Sequence, residues 1–177
     1  MRQLQLDLYY NQDLRFQTPD QVAKYMCEMI PAGVKTVLEP TPGGGNILKH
    51  LTKYDVTAPD NYFLLQHQRF DCVVMNPPFS DKYAFGIPDG SQEKGMKLGY
   101  RILFECMNMS DHVIALMPWF LLLDSSVRLK KIFYFGLKSI TALPRSTFQY
   151  ARIQCLILEL HKGYLGETIF RNFEFNN

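Results

Sequence analysis

The residues of this chain that are best suited to chemistry are Asn76-Pro77-Pro78-Phe79, which directly follow an apolar run at 72–75 that predicts a buried strand. This tetrad therefore lies at a strand's carboxyl end, where open α/β sheets bind their ligands. The Asn76 amide can donate and accept, the prolines leave carbonyls beside positions without N–H, and the Phe79 ring can stack. Such a set can hold a planar amino or amide nitrogen so that its lone pair attacks an electrophile. A strand-ending turn is the structural alternative.

A second candidate segment lies upstream, where a predicted strand at 36–38 ends in Glu39 and Pro40, and Gly43, Gly44 and Gly45 follow. Glycines there let the backbone pass close to a bound group, and a helix start behind them would offer unpaired N–H donors. The spacing matches neither the dinucleotide fingerprint nor the phosphate loop. Because the acid would repel a phosphate, a ligand with an ammonium group and ribose hydroxyls is favoured. A tight turn before a helix explains the same residues.

A third segment, Phe16-Gln17-Thr18-Pro19-Asp20-Gln21, has the pattern of a helix start. Thr18 predicts an N-cap, Pro19 the first helical position, and Gln21 the second half of a capping box. An apolar face follows, and residues 31–33 are expected to stop the helix. Capping explains Thr18 as well as a ligand contact does.

In this order and spacing, the three segments resemble the gamma type of the DNA methyltransferases that modify adenine at N6 with S-adenosylmethionine. That family has a Phe-x-Thr-Pro element, then a strand-acid-Pro-x-x-Gly-x-Gly element, then Asn-Pro-Pro-aromatic. Three further parts of the chain also resemble that family: Phe70-Asp71, the segment 116–121 and a hairpin around 143–148. The resemblance covers most of residues 14–162.

The resemblance implies an α/β, Rossmann-like S-adenosylmethionine-dependent methyltransferase fold, with a mostly parallel seven-stranded sheet and a C-terminal antiparallel hairpin. It implies one catalytic domain over residues 1–177 with a core at about 14–162. Apolar patterning agrees, and predicts a helix at 98–109, a strand at 113–117, a helix capped by Asp124 and ended by Gly136, and strands at 138–143 and 152–160. Between Gly45 and Asp71 the chain has room for about half of the family's elements, so the sheet is expected to be shortened around its second and third strands.

The resemblance also implies roles for single residues. The Asn76 side-chain oxygen and the Pro77 carbonyl would accept the two N6 hydrogens, and Phe79 would stack on a base flipped out of the duplex. The residues expected to bind the cofactor are Phe16, Thr18, Pro19, Glu39, Pro40, Gly43, Gly45, Asp55, Asp60 and Asn76. Which of the two aspartates contacts the ribose stays open, because residues 60–65 look more like the adenine-contacting segment.

Charge gives little guidance overall, because the formal net charge is +2 and the pI is about 8.3. Locally, basic residues outnumber acids between 124 and 152, and Lys130, Lys131 and Arg145 are candidate contacts for DNA phosphates. A solvated helix face is the more common meaning of such a run. Residues 80–99, rich in glycine and charge, are expected to form a loop beside the base pocket.

The sequence does not indicate a metalloprotein, a membrane-spanning protein or a secreted protein. The four cysteines and four histidines lack metal-ligand spacing, so no metal is expected, and reduced core cysteines fit a cytoplasmic protein. The longest apolar run, at 113–123, is too short to span a bilayer, and the polar N-terminus does not resemble a signal peptide.

DNA is the expected partner, but other readings stay open. Asn-Pro-Pro-aromatic also serves enzymes that methylate RNA bases or a protein glutamine, because the same acceptors fit any planar NH2 group. Only about fifteen residues follow the last predicted strand, so no separate target-recognition domain is expected. A partner protein would then supply target recognition, or the chain would be a non-catalytic subunit that binds cofactor or nucleic acid.

Overall fold

In the part of the chain that the structure describes, seven strands form a single sheet that is flanked by three α-helices. The computed structural model describes residues 17–66, 68–79, 96–148 and 153–176. The strands are β1 (Thr36–Leu38), β2 (Asp55–Thr57), β3 (Cys72–Met75), β4 (His112–Pro118), β5 (Leu137–Ala142), β6 (Cys155–His161) and β7 (Ile169–Asn172). The helices are α1 (Asp20–Glu28), α2 (Met96–Met109) and α3 (Ser126–Phe135).

The strand order is β2-β1-β3-β4-β6-β5-β7. The first four of these strands run parallel, β6 is antiparallel to both β4 and β5, and β7 is parallel to β5. The predicted α/β class, seven-stranded sheet and antiparallel β5–β6 pair are therefore confirmed. β7 was not among the predicted strands. Most of its residues are exposed, so no apolar alternation marks it in the sequence.

The expected shortening of the sheet is also present. Between β1 and β3 the chain forms one three-residue strand, β2, and two 3-10 turns, Leu48–His50 and Tyr62–Leu64. The described part of this connection contains no α-helix. The helix predicted behind the glycine segment is thus reduced to the first of these turns.

The sheet is covered on both faces, which explains the continuous apolar run of β3. Val73 and Met75 pack in the cluster that contains α2, whereas Cys72 and Val74 pack in the cluster that contains α1. All four residues are buried. A parallel strand buried on both faces has no polar side to alternate with, as the sequence indicated.

Two predicted helix caps are wrong. α1 begins at Asp20 with Pro19 at the N-cap position and no side-chain cap, so Thr18 does not form the expected capping box. α3 is capped by Ser125, whose hydroxyl accepts from the Arg128 amide at 3.4 Å, rather than by Asp124. In both cases the predicted side chain has another bonding partner: Asn76 for Thr18, and the Arg128 guanidinium for Asp124.

Asp71 connects β3 to β1 at the amino end of the sheet. Its Oδ2 accepts hydrogen bonds from the backbone amides of Lys35 at 2.8 Å and Thr36 at 2.9 Å. These bonds hold the pKa of the Asp71 carboxyl below its ordinary value of 3.8, and the bond from Thr36 contributes more to this than the bond from Lys35. The bonds favour the ionised form, so their stabilising effect is present above pH 3.8 and is lost as the pH falls through the lowered pKa.

We therefore expect Asp71→Ala to lower the Tm by several degrees at neutral pH, because two backbone donors lose a charged acceptor. The difference from the wild type should shrink in strong acid. Thermal unfolding across a pH series measures both effects. The matched control is Asp55→Ala, an exposed aspartate at the same end of the sheet. Equal effects of the two substitutions would contradict the role of Asp71.

Candidate active site

The parallel pairing of β1 and β3 brings two of the sequence segments to the same edge of the sheet. Leu38 lies opposite Val73, so Glu39 and the tetrad both follow their strands at the carboxyl end. The Thr41 hydroxyl donates to the Asn76 carbonyl at 3.2 Å. The glycine segment and the tetrad are thus in direct contact.

The third segment joins them through residues 17 and 18. The Thr18 hydroxyl accepts from Nδ2 of Asn76 at 3.0 Å, and the Thr18 carbonyl accepts from Nδ2 of Asn46 at 2.8 Å. Oε1 of Gln17 accepts from the Gly44 amide at 3.0 Å. Thr18 is only 3% exposed. All three segments therefore converge beside the amino end of α1.

The glycine segment forms a compact turn that requires glycine. Gly43 and Gly45 have φ values of 51° and 77°, in the left-handed region that residues with side chains rarely adopt. A Cβ at Gly43 would lie 2.9 Å from Nε2 of Gln17. The Gly45 amide donates to the Pro42 carbonyl at 2.8 Å. The backbone of this turn lies at the edge where open α/β sheets bind their ligands.

Glu39 is a buried acid, and one of its carboxyl oxygens lacks a partner in the described part of the chain. Its side chain lies at the end of β1 in a residue only 1% exposed, and Oε2 has no hydrogen bond among the described residues. Burial raises the pKa of the carboxyl from 4.5 to about 8. An unsatisfied buried carboxyl is costly, so the residue fits a site where a cationic ligand supplies the missing partner.

The tetrad packs against α2 through Gly99, a residue at which the predicted loop at 80–99 overlaps the predicted helix at 98–109. A Cβ at Gly99 would lie 3.0 Å from the Pro78 carbonyl oxygen and 3.1 Å from Cδ1 of Phe79. Pro77 is buried, and Asn76 and Phe79 are partly exposed. Gly99 thus allows the helix to approach the tetrad. A glycine inside a helix, where it is unfavourable, was the signal available in the sequence.

The other predicted cofactor residues are placed differently. Pro40 is buried beside Glu39, Pro19 precedes α1, and the exposed Asp60 follows β2 on the same edge of the sheet. Asp55 begins β2 opposite Thr36, at the other end of the sheet, so the structure does not bring it to the site. Phe16 lies outside the described residues, as does most of the predicted loop at 80–99.

The three candidate phosphate contacts do not form one cluster with the site. Arg145 is exposed in a 3-10 turn after β5, at the carboxyl edge of the sheet. Lys130 and Lys131 are exposed in the middle of α3, where Nζ of Lys131 lies 5.0 Å from the centre of the Phe104 ring. Another cation of the same run, Lys138, pairs with Glu159 at 2.6 Å.

The cysteines form part of the core. All four are buried with free thiols, and burial raises the pKa of Cys27 to about 12. Over the described ranges no group of histidine, cysteine or acidic side chains is arranged to hold a metal ion. In the same residues, no helix combines the length and apolar character that a membrane crossing requires.

Comparison by sequence finds no matching protein-family model and no matching curated protein. Comparison of structures finds many similar folds. A type I restriction-modification methyltransferase subunit from Streptococcus thermophilus matches with a TM-score of 0.68 and 17% identity. The match covers 92% of this chain and 49% of that subunit. A protein from Listeria monocytogenes assigned to the class I S-adenosylmethionine-dependent methyltransferases has a TM-score of 0.64 and 17% identity, over 90% of this chain and 67% of its own.

A protein from Vibrio vulnificus YJ016, assigned as a modification subunit of a type I restriction enzyme, has a TM-score of 0.63 and 19% identity, over 91% of this chain and 47% of its own. This chain therefore spans about half the length of the two type I subunits. Identities this low establish the fold alone. The predicted S-adenosylmethionine-dependent methyltransferase fold is confirmed.

The buried acid gives a prediction about stability. Between pH 4.5 and about 8 the unfolded chain releases the Glu39 proton, whereas the folded chain retains it. The Glu39 carboxyl therefore lowers the free energy of unfolding as the pH rises through that interval, by up to about 1.4 kcal/mol per pH unit. Glu39→Gln should remove this slope. Urea unfolding of both proteins across the interval measures it, with the exposed Glu28→Gln as control. Parallel curves for the wild type and Glu39→Gln would refute the prediction.

The contact between α2 and the tetrad gives a second prediction. Gly99→Ala should raise helix propensity by about 1 kcal/mol but force Phe79 or the Pro78 carbonyl to move by a few tenths of an ångström. We therefore expect near-normal stability with shifted NMR signals of the Phe79 ring. Lys97→Ala, at an exposed position of the same helix, should leave those signals unchanged. Unshifted Phe79 signals in Gly99→Ala would contradict the contact.

Proposed function

We propose that this chain transfers a methyl group from S-adenosylmethionine to the N6 amino group of adenine in DNA. The observation that carries the proposal is the position of Asn76-Pro77-Pro78-Phe79 at the carboxyl end of β3, in contact with the glycine segment that follows β1. A strand-ending turn alone would not require its asparagine to be bound by residues of two other segments.

The residues at this edge fit the cofactor. The carboxyl oxygen of Glu39 that has no partner among the described residues suits the ammonium group of S-adenosylmethionine. The turn leaves room beside Gly45, where an added Cβ would meet no atom nearer than Cδ1 of Leu48 at 3.9 Å. Asp60, at the same edge, is the acid we assign to the ribose hydroxyls, and Asp55 is left out because it lies at the other end. When bound, the cofactor supplies an electrophilic methyl group on a sulfonium.

Asn76 and Pro77 would activate the target nitrogen. The N6 lone pair of adenine is delocalised into the ring, which makes the amino group a poor nucleophile. If the Asn76 side-chain oxygen and the Pro77 carbonyl accept its two hydrogens, the nitrogen becomes pyramidal and its lone pair is directed away from them. No base is required before attack, because the nitrogen loses its proton easily once it carries positive charge.

Phe79 would hold the target base. Its ring is partly exposed and lies close to Gly99 of α2, which suits stacking on a flipped base. Base–aromatic stacking is worth about 1–3 kcal/mol, enough to offset part of the cost of unstacking the base from the duplex.

The choice of DNA is supported by the type I restriction-modification neighbours. Arg145 lies at the same carboxyl edge of the sheet as the tetrad and would contact a DNA phosphate, and Lys130 and Lys131 would extend the basic surface along α3. Because the chain spans about half of those neighbours, we propose that a partner protein or further segment supplies target recognition.

The decisive experiment measures transfer of labelled methyl from S-adenosylmethionine to duplex DNA, structured RNA and peptide, followed by identification of the methylated product. We expect N6-methyladenine in DNA. Methylated RNA or glutamine would instead support a related substrate for the same acceptors. Binding without any transfer, recovered by adding a partner, would support a partner-dependent subunit.

Asn76→Ala should lower kcat on the order of 100-fold while cofactor affinity stays nearly unchanged, because the missing acceptor acts on the target nitrogen in the transition state. Single-turnover transfer and calorimetric cofactor binding separate the two quantities. Asn108→Ala, at an exposed position of α2, is the matched control. Near-normal turnover of Asn76→Ala would show that the tetrad is only a turn.

A further inference from the structure

We propose that Thr18 is a positioning residue that fixes the orientation of the Asn76 amide for methyl transfer. This inference rests on the proposed function and deepens it. The observation behind it is the hydrogen bond from Nδ2 of Asn76 to the Thr18 hydroxyl at 3.0 Å, made by a threonine that is only 3% exposed. The two residues are 58 positions apart in the sequence.

The orientation of this amide matters because its two ends have opposite hydrogen-bonding character. Only Oδ1 can accept the hydrogens of a target amino group, whereas Nδ2 would oppose them as a second donor. When Nδ2 donates to the Thr18 hydroxyl, turning the amide over would break that bond and would require the hydroxyl to change from acceptor to donor. A bond to the backbone fixes the rest of the residue, since the Asn76 carbonyl accepts from the Thr41 hydroxyl at 3.2 Å.

Among the described residues, the Thr18 hydroxyl makes no hydrogen bond other than the one with Asn76. It does not cap α1, whose N-cap position is occupied by Pro19. The contribution of Thr18 to the glycine segment comes from its backbone carbonyl, which accepts from Nδ2 of Asn46 at 2.8 Å. Removing the hydroxyl therefore leaves that backbone bond in place, and the two roles of Thr18 can be separated by mutation.

The family resemblance implies a different role for Thr18, that of a residue that binds the cofactor directly. The two roles predict different kinetics. If Thr18 binds the cofactor, its substitution weakens cofactor binding. If Thr18 positions Asn76, its substitution lowers kcat and leaves cofactor affinity unchanged.

The test uses Thr18→Val, which keeps the shape of the side chain and removes the hydroxyl, and Thr18→Ser, which keeps the hydroxyl. We expect Thr18→Val to lower kcat about 10- to 100-fold, as small errors of position do, and Thr18→Ser to restore most of it. The cofactor dissociation constant should stay within about twofold in both. The control is Thr141→Val, which removes a buried hydroxyl that lies 3.2 Å from the Tyr25 hydroxyl on α1.

A double mutant tests whether Thr18 acts through Asn76. In the Asn76→Ala background, Thr18→Val should cause no further loss of kcat, because the amide that it positions is already absent. A full, multiplicative loss in the double mutant would overturn the proposal. So would a Thr18→Val enzyme with normal kcat, or one whose only defect is weak cofactor binding.

Thermal unfolding of each variant shows whether it is folded, and Thr18→Ala replaces Thr18→Val if the valine methyl prevents folding. Failure of this inference differs from failure of the proposed function. If the wild type transfers no methyl group to any substrate, with or without a partner, both fall. If the wild type is active and the Thr18 variants behave like the Thr141 control, only the positioning role falls.

Discussion

The parallel pairing of β1 with β3 is the constraint on which the candidate site depends. In its register Leu38 lies opposite Val73, so the residues that follow the two strands, Glu39 and the tetrad, come to the same edge of the sheet. The pair is held at both ends. Asp71 accepts from the backbone of Lys35 and Thr36 at the amino end, and the Thr41–Asn76 bond joins the strands' extensions at the carboxyl end. A slip of one residue would turn the side chains of β3 to the opposite faces of the sheet.

The position of Thr18 depends on α1, and α1 is in turn held by the last residues of the chain. The Gln21 side chain exchanges two hydrogen bonds with the backbone of Asn176, at 2.9 and 2.8 Å. The Tyr25 ring packs edge-on against Phe173 with 5.3 Å between ring centres. Since Thr18 lies just before this helix, contacts made by the segment after β7 contribute to the geometry around Asn76. β7, which no apolar alternation marks in the sequence, therefore leads the chain to a contact that supports the candidate site.

The site also carries a cost in stability. Glu39 is buried with an oxygen that has no partner in the described part of the chain, and its raised pKa reflects the loss of solvation. The same property favours a cationic ligand, whose binding would supply the missing partner and stabilise the ionised form. Replacing a ligand-binding residue often makes the free protein more stable, because such residues are not optimised for stability.

The sequence by itself determined the elements that follow from local pattern. The apolar run at 72–75 indicated a doubly covered strand, the glycines at 43–45 indicated a turn, and these assignments placed the tetrad at a strand's carboxyl end. The class of fold was implied by the family resemblance that these segments carry. The local assignments need only neighbouring residues, because backbone preferences and hydrophobic periodicity act over a few positions.

Only the tertiary structure decided which distant side chains meet. It gave the Thr18 hydroxyl to Asn76 rather than to the start of α1, set Gly99 against Phe79, and put Asp55 at the end of the sheet away from the site. A threonine before a proline fits a helix cap equally well until a competing partner is near. Which partner it has depends on strand register and helix packing, and these are fixed by contacts between residues far apart in the chain.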